Sequence, residues 1–520
     1  MSIDGTWAFT AESPRGAQSF SATFTSDGER LTGTMTGAQG SWEIDEGSVR
    51  GNETGWLVRR AVMGMNLRFT GVVEGDQWTG KVKVGVLGSF PAGAVRTAQE
   101  QPPPAPSEPT LISPEGRADP YPLYARMREE GPVRPVEGPL GGQVWMVTGY
   151  GEARALLNDP RISKHPRHAP QWLRELGIVT ADGGPTGTNM LNSDPPDHTR
   201  LRRLVSKGFT PRRIEALRPR VQRITDDLLD RMAPLGHADL IDAFAYPLPI
   251  TVISELIGVP EQDRADFRSW TAAMLLLPLE EDLRARRSKG IEAINGYLAA
   301  LIERKRGELR PGVPRDEQPD LASALVAAAD DEDGALSERE LVGMLNLLLV
   351  AGHETTVNLI GNGMAALLRH PDQLALLRDR PDLLPSAIEE MLRYDGPVEQ
   401  GTGRTAIEDI EIAGVTIPAG SQVTVALAAA DRDPGRFPEP DRFDIRREDN
   451  AHVALGHGLH FCLGAPLARM EAEIAFRGLL DRFPDLAPAW PPGQLRQRPG
   501  TATLFRGLAE LPIRFTPAAR

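Results

Sequence analysis

Cysteine is the residue type that the 520-residue chain has least of, because Cys462 is its only one. A single thiol excludes an intramolecular disulfide and is typical of a reducing compartment. Long apolar runs are missing as well, since stretches such as 345–351 fall far short of the ~20 residues that span a bilayer. The N-terminal sequence MSIDGTWAFTAESP has no apolar core of the signal-peptide type. We therefore expect a cytoplasmic protein without a leader or a membrane anchor.

An excess of positive charge is also absent. The chain has 58 Lys and Arg against 71 Asp and Glu, a formal net charge of −13. Surfaces that bind nucleic acid need clustered cations to displace counterions, so this composition argues against a nucleic-acid partner. With 40% hydrophobic and 25% charged residues, the chain has enough apolar material for a sizeable core.

The first 97 residues differ in composition from the rest. Tyrosine is absent before Tyr121, and short alternating runs are separated by the turn signals at 27–28, 51–52 and 75–76. The spacing G-x-x-x-T-G occurs twice, at 28–33 and at 75–80. Two similar hairpins predict an up-and-down meander, so residues 1–97 are expected to form a small all-β barrel that is similar to calycin-like barrels.

The composition changes again after the predicted barrel. Residues 98–110, AQEQPPPAPSEPT, are rich in proline and predict a semi-rigid linker. The sequence beyond is mainly helical in pattern. Ser337 and Glu340 form a capping-box signature that opens an uninterrupted run to Arg369, which His370-Pro371 stops. A helix of this length crosses a whole domain.

Cys462 lies in the segment LGHGLHFCLGAPLAR, residues 455–469. Glycines on both sides let the backbone pass close to a flat ligand. Pro466 suits the first turn of a helix, whose positive N-terminal end would favour the thiolate, the form that binds metals. For a lone cysteine the alternative is a small buried hydrophobe.

This segment resembles the haem-binding signature of cytochrome P450s, F-G-x-G-x-H-x-C-x-G, and departs from it only at Leu455, where Phe is usual. Two further P450 signatures occur in the same order and spacing as in the family: AGHETT at 351–356 and E-x-x-R at Glu390 and Arg393. The resemblance covers roughly residues 111–520. It implies a mainly α cytochrome P450 fold with small β-sheets, preceded here by the barrel, and a haem b group with Cys462 as its thiolate ligand.

Glu354, Thr355 and Thr356 are polar residues in an otherwise apolar part of the long run, next to Gly352. Buried acids and hydroxyls need partners, and a helix bend satisfied by water would be one explanation. A zinc motif H-E-x-x-H is excluded because Val357 stands where the second His belongs. The P450 resemblance implies that Glu354 and Thr355 are the catalytic acid–alcohol pair that delivers protons during dioxygen activation.

The resemblance also implies the roles of several basic residues. Glu390 and Arg393 would form a buried structural pair, completed by Arg442 of the PDRF segment. The partners of the haem propionates would be His198, Arg202, Arg404 and His460. Without the resemblance, the 198–213 segment reads as a solvated basic face. The H-x-x-H spacing of His165 and His168 is better explained by a loop than by a metal, and His452 and His457 are expected to be structural.

The implied activity is hydroxylation or epoxidation, with O2, of a hydrophobic small molecule such as a natural-product intermediate. The substrate would lie against 343–352, the 164–192 loop and 398–402, under an apolar lid segment at 273–279. No reductase domain is evident, so electrons are expected from a ferredoxin and a ferredoxin reductase, with docking on the face near Cys462.

Several alternatives remain open at this level. One alternative is a P450 that catalyses ring coupling, desaturation or rearrangement. A haem sensor and a peroxide-driven peroxygenase are further alternatives, and an intact Glu354–Thr355 pair disfavours both. The barrel could be an accessory fold, a binding module or a second catalyst. Residues 1–97 contain no His or Cys, so chemistry there would rely on Glu43, Glu53, Arg59 or Arg60.

Overall fold

The structure is a computed structural model that describes residues 3–13, 16–37, 40–62, 65–85, 88–96, 110–138, 142–175, 178–180, 183–184, 186–276, 281–310, 312–314, 317–329, 336–491, 495–498 and 504–517. The chain divides into two compact units. One comprises Met1–Leu123 and Leu277–Arg286, and the other comprises Tyr124–Leu276 and Arg287–Arg520. Of the predicted linker 98–110, only Thr110 lies within the described residues.

The N-terminal unit contains a closed barrel of eight antiparallel strands in sequence order. The strands are β1 Gly5–Ser13, β2 Gly16–Asp27, β3 Arg30–Gly37, β4 Gly40–Arg50, β5 Glu53–Val62, β6 Met65–Glu74, β7 Gln77–Val84 and β8 Gly88–Arg96. Pairing of β1 with β8, from Trp7 opposite Arg96 to Ala11 opposite Ala92, closes the ring. The predicted up-and-down barrel is confirmed.

The repeated G-x-x-x-T-G spacing has a structural cause. Gly28 and Gly75 have φ of 62° and 63° and begin tight turns, a conformation that suits glycine. Gly33 and Gly80 end the two repeats at points where strands approach closely. A Cβ at Gly33 would lie 1.9 Å from the Thr23 carbonyl oxygen, so a side chain there is excluded.

Aromatic side chains fill the described interior of the barrel. Trp56 stacks on Phe69 with ring centroids 5.0 Å apart, and the Trp78 indole donates to the Thr54 hydroxyl at 2.7 Å. The fully buried aromatic residues of this core are Trp7, Phe9, Phe24, Trp56, Phe69 and Trp78. A barrel of eight strands is about wide enough for side chains to fill, and here they do so.

Beyond Thr110 the chain is mainly helical, as predicted. The helices are α1 Pro114–Ala118, α2 Tyr121–Glu130, α3 Tyr150–Leu157, α4 Gln171–Glu175, α5 Asp197–Ser206, α6 Pro211–Met232, α7 Pro247–Ile257, α8 Phe267–Met274, α9 Glu281–Glu308, α10 Leu321–Ala329, α11 Glu338–Arg369, α12 Pro371–Asp379, α13 Leu384–Asp395, α14 Leu427–Ala430 and α15 Ala465–Arg482. Within the described residues, no helix is both long and apolar enough to cross a membrane.

Small sheets complete this part of the fold. Their strands are β9 Val133–Glu137, β10 Gln143–Val147, β11 Ile162–Ser163, β12 His237–Asp239, β13 Arg404–Ala406, β14 Ile410–Ile412, β15 Val415–Ile417, β16 Gln422–Val425, β17 Ala487–Pro488 and β18 Pro512–Arg514. They form a five-stranded sheet in the order β11-β13-β16-β10-β9, a three-stranded sheet β12-β18-β17 and the hairpin β14-β15.

The long helix α11 is the central element of the helical core. It spans 32 residues, and Ser337 and Glu340 form the predicted capping box at its start. Most of its side chains are buried against α7, α13 and α15. Because most side chains of α11 are buried, the few exposed positions in its middle mark a part of the helix that no other described element covers.

Candidate active site

Cys462 lies at the end of a loop that leads into α15. The preceding residues 458–460 form a single 3₁₀ turn. The Cys462 N–H donates to the Leu455 carbonyl oxygen at 2.9 Å, which closes the loop on itself. Gly458 has a φ of 69°, and a Cβ there would lie 2.6 Å from Asn158 Oδ1. Glycine at this position therefore allows the loop to pass close to the end of α3.

Two opposing effects act on the Cys462 thiol. Burial is the larger, and it raises the pKa of the thiol. The backbone N–H groups of Gly464 and Ala465 at the start of α15 lower it, as do the charges of Arg202 and Arg469. The expected influence of the helix N-terminus is present, but burial outweighs it, so the pKa of the free thiol lies above its ordinary value.

Helix α5 and the cysteine loop bring two histidines together. The rings of His198 and His460 meet edge to face with centroids 4.5 Å apart. His198 is 1% exposed, and neither of its ring nitrogens has a hydrogen-bond partner among the described residues. Arg202, one turn further along α5, donates to the carbonyl oxygens of Phe461 at 2.7 Å and Leu459 at 3.3 Å.

Arg404, the first residue of β13, lies beside Lys164, which directly follows β11. Arg404 is buried and donates to the Thr402 carbonyl oxygen at 2.7 Å, while the Lys164 ammonium donates to the Thr402 hydroxyl. In the β11–β13 pairing, Ser163 lies opposite Thr405, which places Lys164 beside Arg404. Sequence reasoning did not find Lys164, since only the register of two very short strands brings it here.

We name these residues the basic cluster: Lys164, His198, Arg202, Arg404 and His460. Burial is the main cause that lowers the pKa of His198 to about 4, of His460 to about 2 and of Arg404 to about 10. Asp194 is the described acid that acts on Lys164 and His198. A buried cation such as Arg404 is unfavourable without a matching anion, and the neutral rings of His198 and His460 can each donate one hydrogen bond, so the basic cluster is complementary to a ligand with negative charges.

Helix α11 is open around Gly352. Ala351 is exposed, and Gly352 and Thr355 are partly exposed, whereas the neighbouring residues of the helix are buried. A Cβ at Gly352 would lie 2.6 Å from Ile253 of α7, so the sequence-based expectation of a close contact at this glycine is confirmed. The Thr355 hydroxyl donates to the Ala351 carbonyl oxygen at 2.8 Å and so lies on the open face.

Glu354 points to another side of α11 and is 4% exposed. Arg498 forms an ion pair with it through Nη1 and Oε1. His353 Nε2 lies 3.9 Å from the second carboxylate oxygen. Glu354 and Thr355 are therefore adjacent in sequence but have different partners in the structure. Arg498 is a second residue that sequence reasoning missed, because nothing in the local sequence pairs it with α11.

The E-x-x-R residues form a fully buried ion pair. Arg393 Nε and Nη2 each donate to Glu390 at 2.8 Å, and both side chains are 0% exposed. Arg393 Nη1 also donates to the carbonyl oxygens of Asp431 at 3.0 Å and Pro440 at 2.8 Å. This pair ties α13 to the loop that precedes the cysteine segment.

The prediction that the Arg442 side chain completes this pair is wrong. Its side chain is 51% exposed and lies 3.1 Å from Glu439, and only its carbonyl oxygen accepts from Arg393, at 3.1 Å. Arg447 takes the predicted place and donates from Nε to Glu390 at 3.2 Å. Arg447 lies in the long loop after α14 with its side chain 11% exposed, a placement that the PDRF spacing does not reveal.

Three further histidines, His165, His168 and His452, have hydrogen-bond partners on nearby residues. His165 Nδ1 accepts from the Arg167 N–H at 3.1 Å, and His168 Nδ1 is 2.7 Å from the Ser163 hydroxyl. His452 Nε2 lies 3.2 Å from Glu389. Over the described part of the chain, no group of His, Cys, Asp or Glu has the arrangement of a multi-residue metal site. His165 and His168 each contact a residue of the same 163–168 segment.

Comparison with known proteins identifies the family. The profile for "Cytochrome P450" matches residues 262–488. Cytochrome P450 monooxygenase PikC of Streptomyces venezuelae is 54% identical over 400 residues, 76% of this chain and 91% of that protein. The 6-deoxyerythronolide B hydroxylase of Saccharopolyspora erythraea is 45% identical over 411 residues, 78% of this chain and 98% of its own.

Solved structures agree with this assignment. The P450 enzyme CxnD, described as acting in C–S bond formation in chuangxinmycin biosynthesis, superposes with a TM-score of 0.72 at 39% identity, covering 79% of this chain and 98% of its own. The fold and the cysteine site thus define a P450-type monooxygenase, an oxidoreductase of the haem-iron class. The chain belongs to the cytochrome P450 family.

The residues present fit a haem. A haem presents two anionic propionates and an iron that takes a thiolate ligand. Arg404 is a buried cation of the basic cluster, and the two unpartnered nitrogens of His198 need a hydrogen-bonding ligand. Cys462, in the adjoining loop, is the one thiol of the chain.

Proposed function

We propose that the chain is a haem b monooxygenase in which Cys462 is the axial ligand and the basic cluster holds the propionates. The observation that carries this proposal is the basic cluster beside the Cys462 loop, in which His198 and Arg404 are buried and neither ring nitrogen of His198 has a partner among the described residues. His198, Arg202, Arg404 and His460 were expected in this role, and Lys164 joins them. The bound haem would supply dioxygen activation, with the thiolate promoting cleavage of the O–O bond.

The catalytic residues we propose are Glu354 and Thr355. Thr355 lies on the open face of α11 beside Ala351 and Gly352 and can pass a proton through its hydroxyl. Glu354 is the neighbouring carboxyl group that can take up and release that proton. The Thr355 hydroxyl donates to the Ala351 carbonyl oxygen at 2.8 Å, which orients it.

The substrate we propose is a hydrophobic natural-product intermediate that is hydroxylated or epoxidised. Its site would adjoin the open face of α11, the loop before α5 and the segment 398–402. Met190 donates its N–H to the Met344 sulfur at 3.3 Å, and a Cβ at Gly343 would lie 2.1 Å from the Thr188 carbonyl oxygen, so that loop packs on α11. Of the expected lid 273–279, residues 277–279 lie outside the described residues.

Electron supply in bacterial P450s comes from redox partner proteins. We propose a ferredoxin, reduced by a ferredoxin reductase, that docks near Cys462. Leu459 and Phe461 lie in the loop just before Cys462 and are 42% and 41% exposed. Arg202 donates hydrogen bonds to the carbonyl oxygens of both residues and so anchors the loop. A rigid loop with exposed apolar side chains suits transient docking of a small partner.

The domain organisation that we propose keeps the predicted boundaries: barrel 1–97, linker 98–110 and P450 domain 111–520. The described core of the barrel is filled by aromatic side chains, which favours a binding or assembly role for its outer surface over an enclosed ligand site. Arg59 pairs on that surface with Asp45 at 3.0 Å and Glu46 at 2.9 Å, and such exposed pairs do not indicate catalysis.

A second candidate function is oxidative bond formation without insertion of oxygen. It is favoured by the similarity to CxnD, whose described reaction is C–S bond formation. The same haem residues serve both reactions, so the described contacts support either outcome.

The test combines binding and product analysis. The holoenzyme, with ferredoxin, ferredoxin reductase and NADPH, is screened against apolar metabolites for type I spectral shifts, and the hits are turned over under ¹⁸O₂. A product that gains one labelled oxygen supports monooxygenation, and a product that loses only hydrogen supports the second candidate. Absence of the thiolate-type band in the reduced CO complex would show that the proposed haem site is wrong. Cys462→Ser serves as the matched control.

A further inference from the structure

A chain of hydrogen bonds joins the segment 163–168, which contains the H-x-x-H motif, to Asp194 just before α5. His168 Nε2 accepts from Arg167 Nε at 3.1 Å, and His168 Nδ1 lies 2.7 Å from the Ser163 hydroxyl. Burial lowers the pKa of His168, so the ring is neutral. Because Nε2 accepts, the ring proton is on Nδ1 and is donated to Ser163. The Ser163 hydroxyl in turn donates to the Asp194 carboxylate.

Asp194 holds two parts of the basic cluster at once. One of its carboxylate oxygens accepts from the Lys164 N–H at 2.8 Å, and the other accepts from Ser163, which is 2% exposed. The carbonyl oxygen of Asp194 accepts from the His198 N–H at 2.9 Å and so closes the turn that leads into α5. The side chain of Asp194 therefore fixes the backbone at Lys164, and its main chain fixes the backbone at His198.

The charge of Asp194 also acts on the basic cluster. Burial is the main cause that lowers the pKa of His198 and His460, and the positive charge of Lys164 lowers both further. Asp194 acts in the opposite direction on His198 and on Lys164. Its negative charge thus reaches the groups that would hold the propionates, in a partly buried place where solvent screens charges less than at the surface. A negative charge beside a haem disfavours the uptake of an electron.

We propose that Ser163 and Asp194 are positioning residues of the haem site. Ser163 orients the Asp194 carboxylate, and Asp194 holds Lys164 and His198 at the spacing that the propionates require. The Asp194 carboxylate also lowers the reduction potential of the bound haem, that is, it disfavours the transfer of one electron from the ferredoxin to the ferric iron. This inference rests on the proposed haem-binding function.

The test compares Asp194→Asn and Ser163→Ala in the holoenzyme. We measure the rate of haem transfer to excess apomyoglobin and the reduction potential by dithionite titration, so neither measurement needs a substrate. Asp194→Asn should lose haem roughly 10–100-fold faster, the range typical of residues that orient a direct ligand. Its reduction potential should rise, because a negative charge is removed. Ser163→Ala keeps that charge, so it should lose haem faster without a change in potential.

Asp197→Asn is the matched control, because Asp197 is the first residue of α5 but its side chain is 58% exposed and lies 3.3 Å from Arg200. Solvent screens this charge, so the variant should behave as wild type in both measurements. Asp194→Glu is the conservative variant. It keeps the charge but lengthens the side chain, so its potential should stay near that of wild type while haem is lost faster.

The outcomes separate this inference from its premise. An unchanged reduction potential in Asp194→Asn, or the same changes in Asp194→Asn and Asp197→Asn, would overturn the inference alone. If Asp194→Asn does not retain haem, the decision passes to the two other variants: normal haem loss in both Ser163→Ala and Asp194→Glu would also overturn it. A wild-type protein without the thiolate-type band in its reduced CO complex would instead overturn the proposed haem site.

Discussion

Replacing Glu390 by Gln should destabilise the helical unit strongly. Glu390 is 0% exposed and accepts hydrogen bonds from Arg393 at 2.8 Å, from the Asp444 N–H at 2.9 Å and from Arg447 at 3.2 Å. Glutamine has nearly the same shape, but it lacks the charge and presents an NH2 group to donors. The fully buried guanidinium of Arg393 and the largely buried one of Arg447 would then lose their counter-charge.

The size of the effect follows from burial. Removing one partner of a buried ion pair costs about 3–5 kcal/mol, or roughly 10²–10⁴-fold in the ratio of folded to unfolded protein. Glu215→Gln is the matched control. Arg218 and Glu215 have the same i, i+3 spacing at 2.6 Å, but their side chains are 38% and 64% exposed. An exposed pair contributes about 0–1 kcal/mol.

Urea unfolding followed by far-UV circular dichroism measures both variants. All helices of the described residues lie after Thr110, so the helical signal reports on the P450 part and not on the barrel. We expect the midpoint to drop clearly for Glu390→Gln and little for Glu215→Gln. Equal losses in the two variants would refute the reasoning, because burial would then make no difference to the value of the pair.

Three further predictions test the haem site, the proton path and the barrel. Cys462→Ser should abolish the thiolate-type Soret band of the reduced CO complex, and a retained band would remove Cys462 as the ligand. Thr355→Ala should leave substrate binding intact but release peroxide in place of product, since the hydroxyl that passes the proton is lost; unchanged coupling would contradict this role. A chain that begins at Thr110 should still bind haem and give the thiolate CO spectrum, because residues 111–520 contain every haem motif, whereas failure to incorporate haem would show the boundary to be wrong.

The local sequence determines features that involve only a few consecutive residues, such as helix starts, tight turns and the cysteine loop. Ser337 and Glu340 predict the start of α11 because a capping box needs only one turn of helix. Gly28 and Gly75 predict two barrel turns because φ above zero favours glycine wherever it occurs. The segment around Cys462 predicts a ligand loop because its glycines, proline and thiol are contiguous.

Tertiary structure decides what contacts these elements. Lys164 joins the basic cluster only through the register of β11 and β13, and Arg447 displaces Arg442 because of the course of one loop. Arg498 meets Glu354 because the C-terminal segment packs on α11. Long side chains can reach many places, and which carboxylate a guanidinium meets depends on how distant segments pack, a property that no local pattern in the sequence specifies.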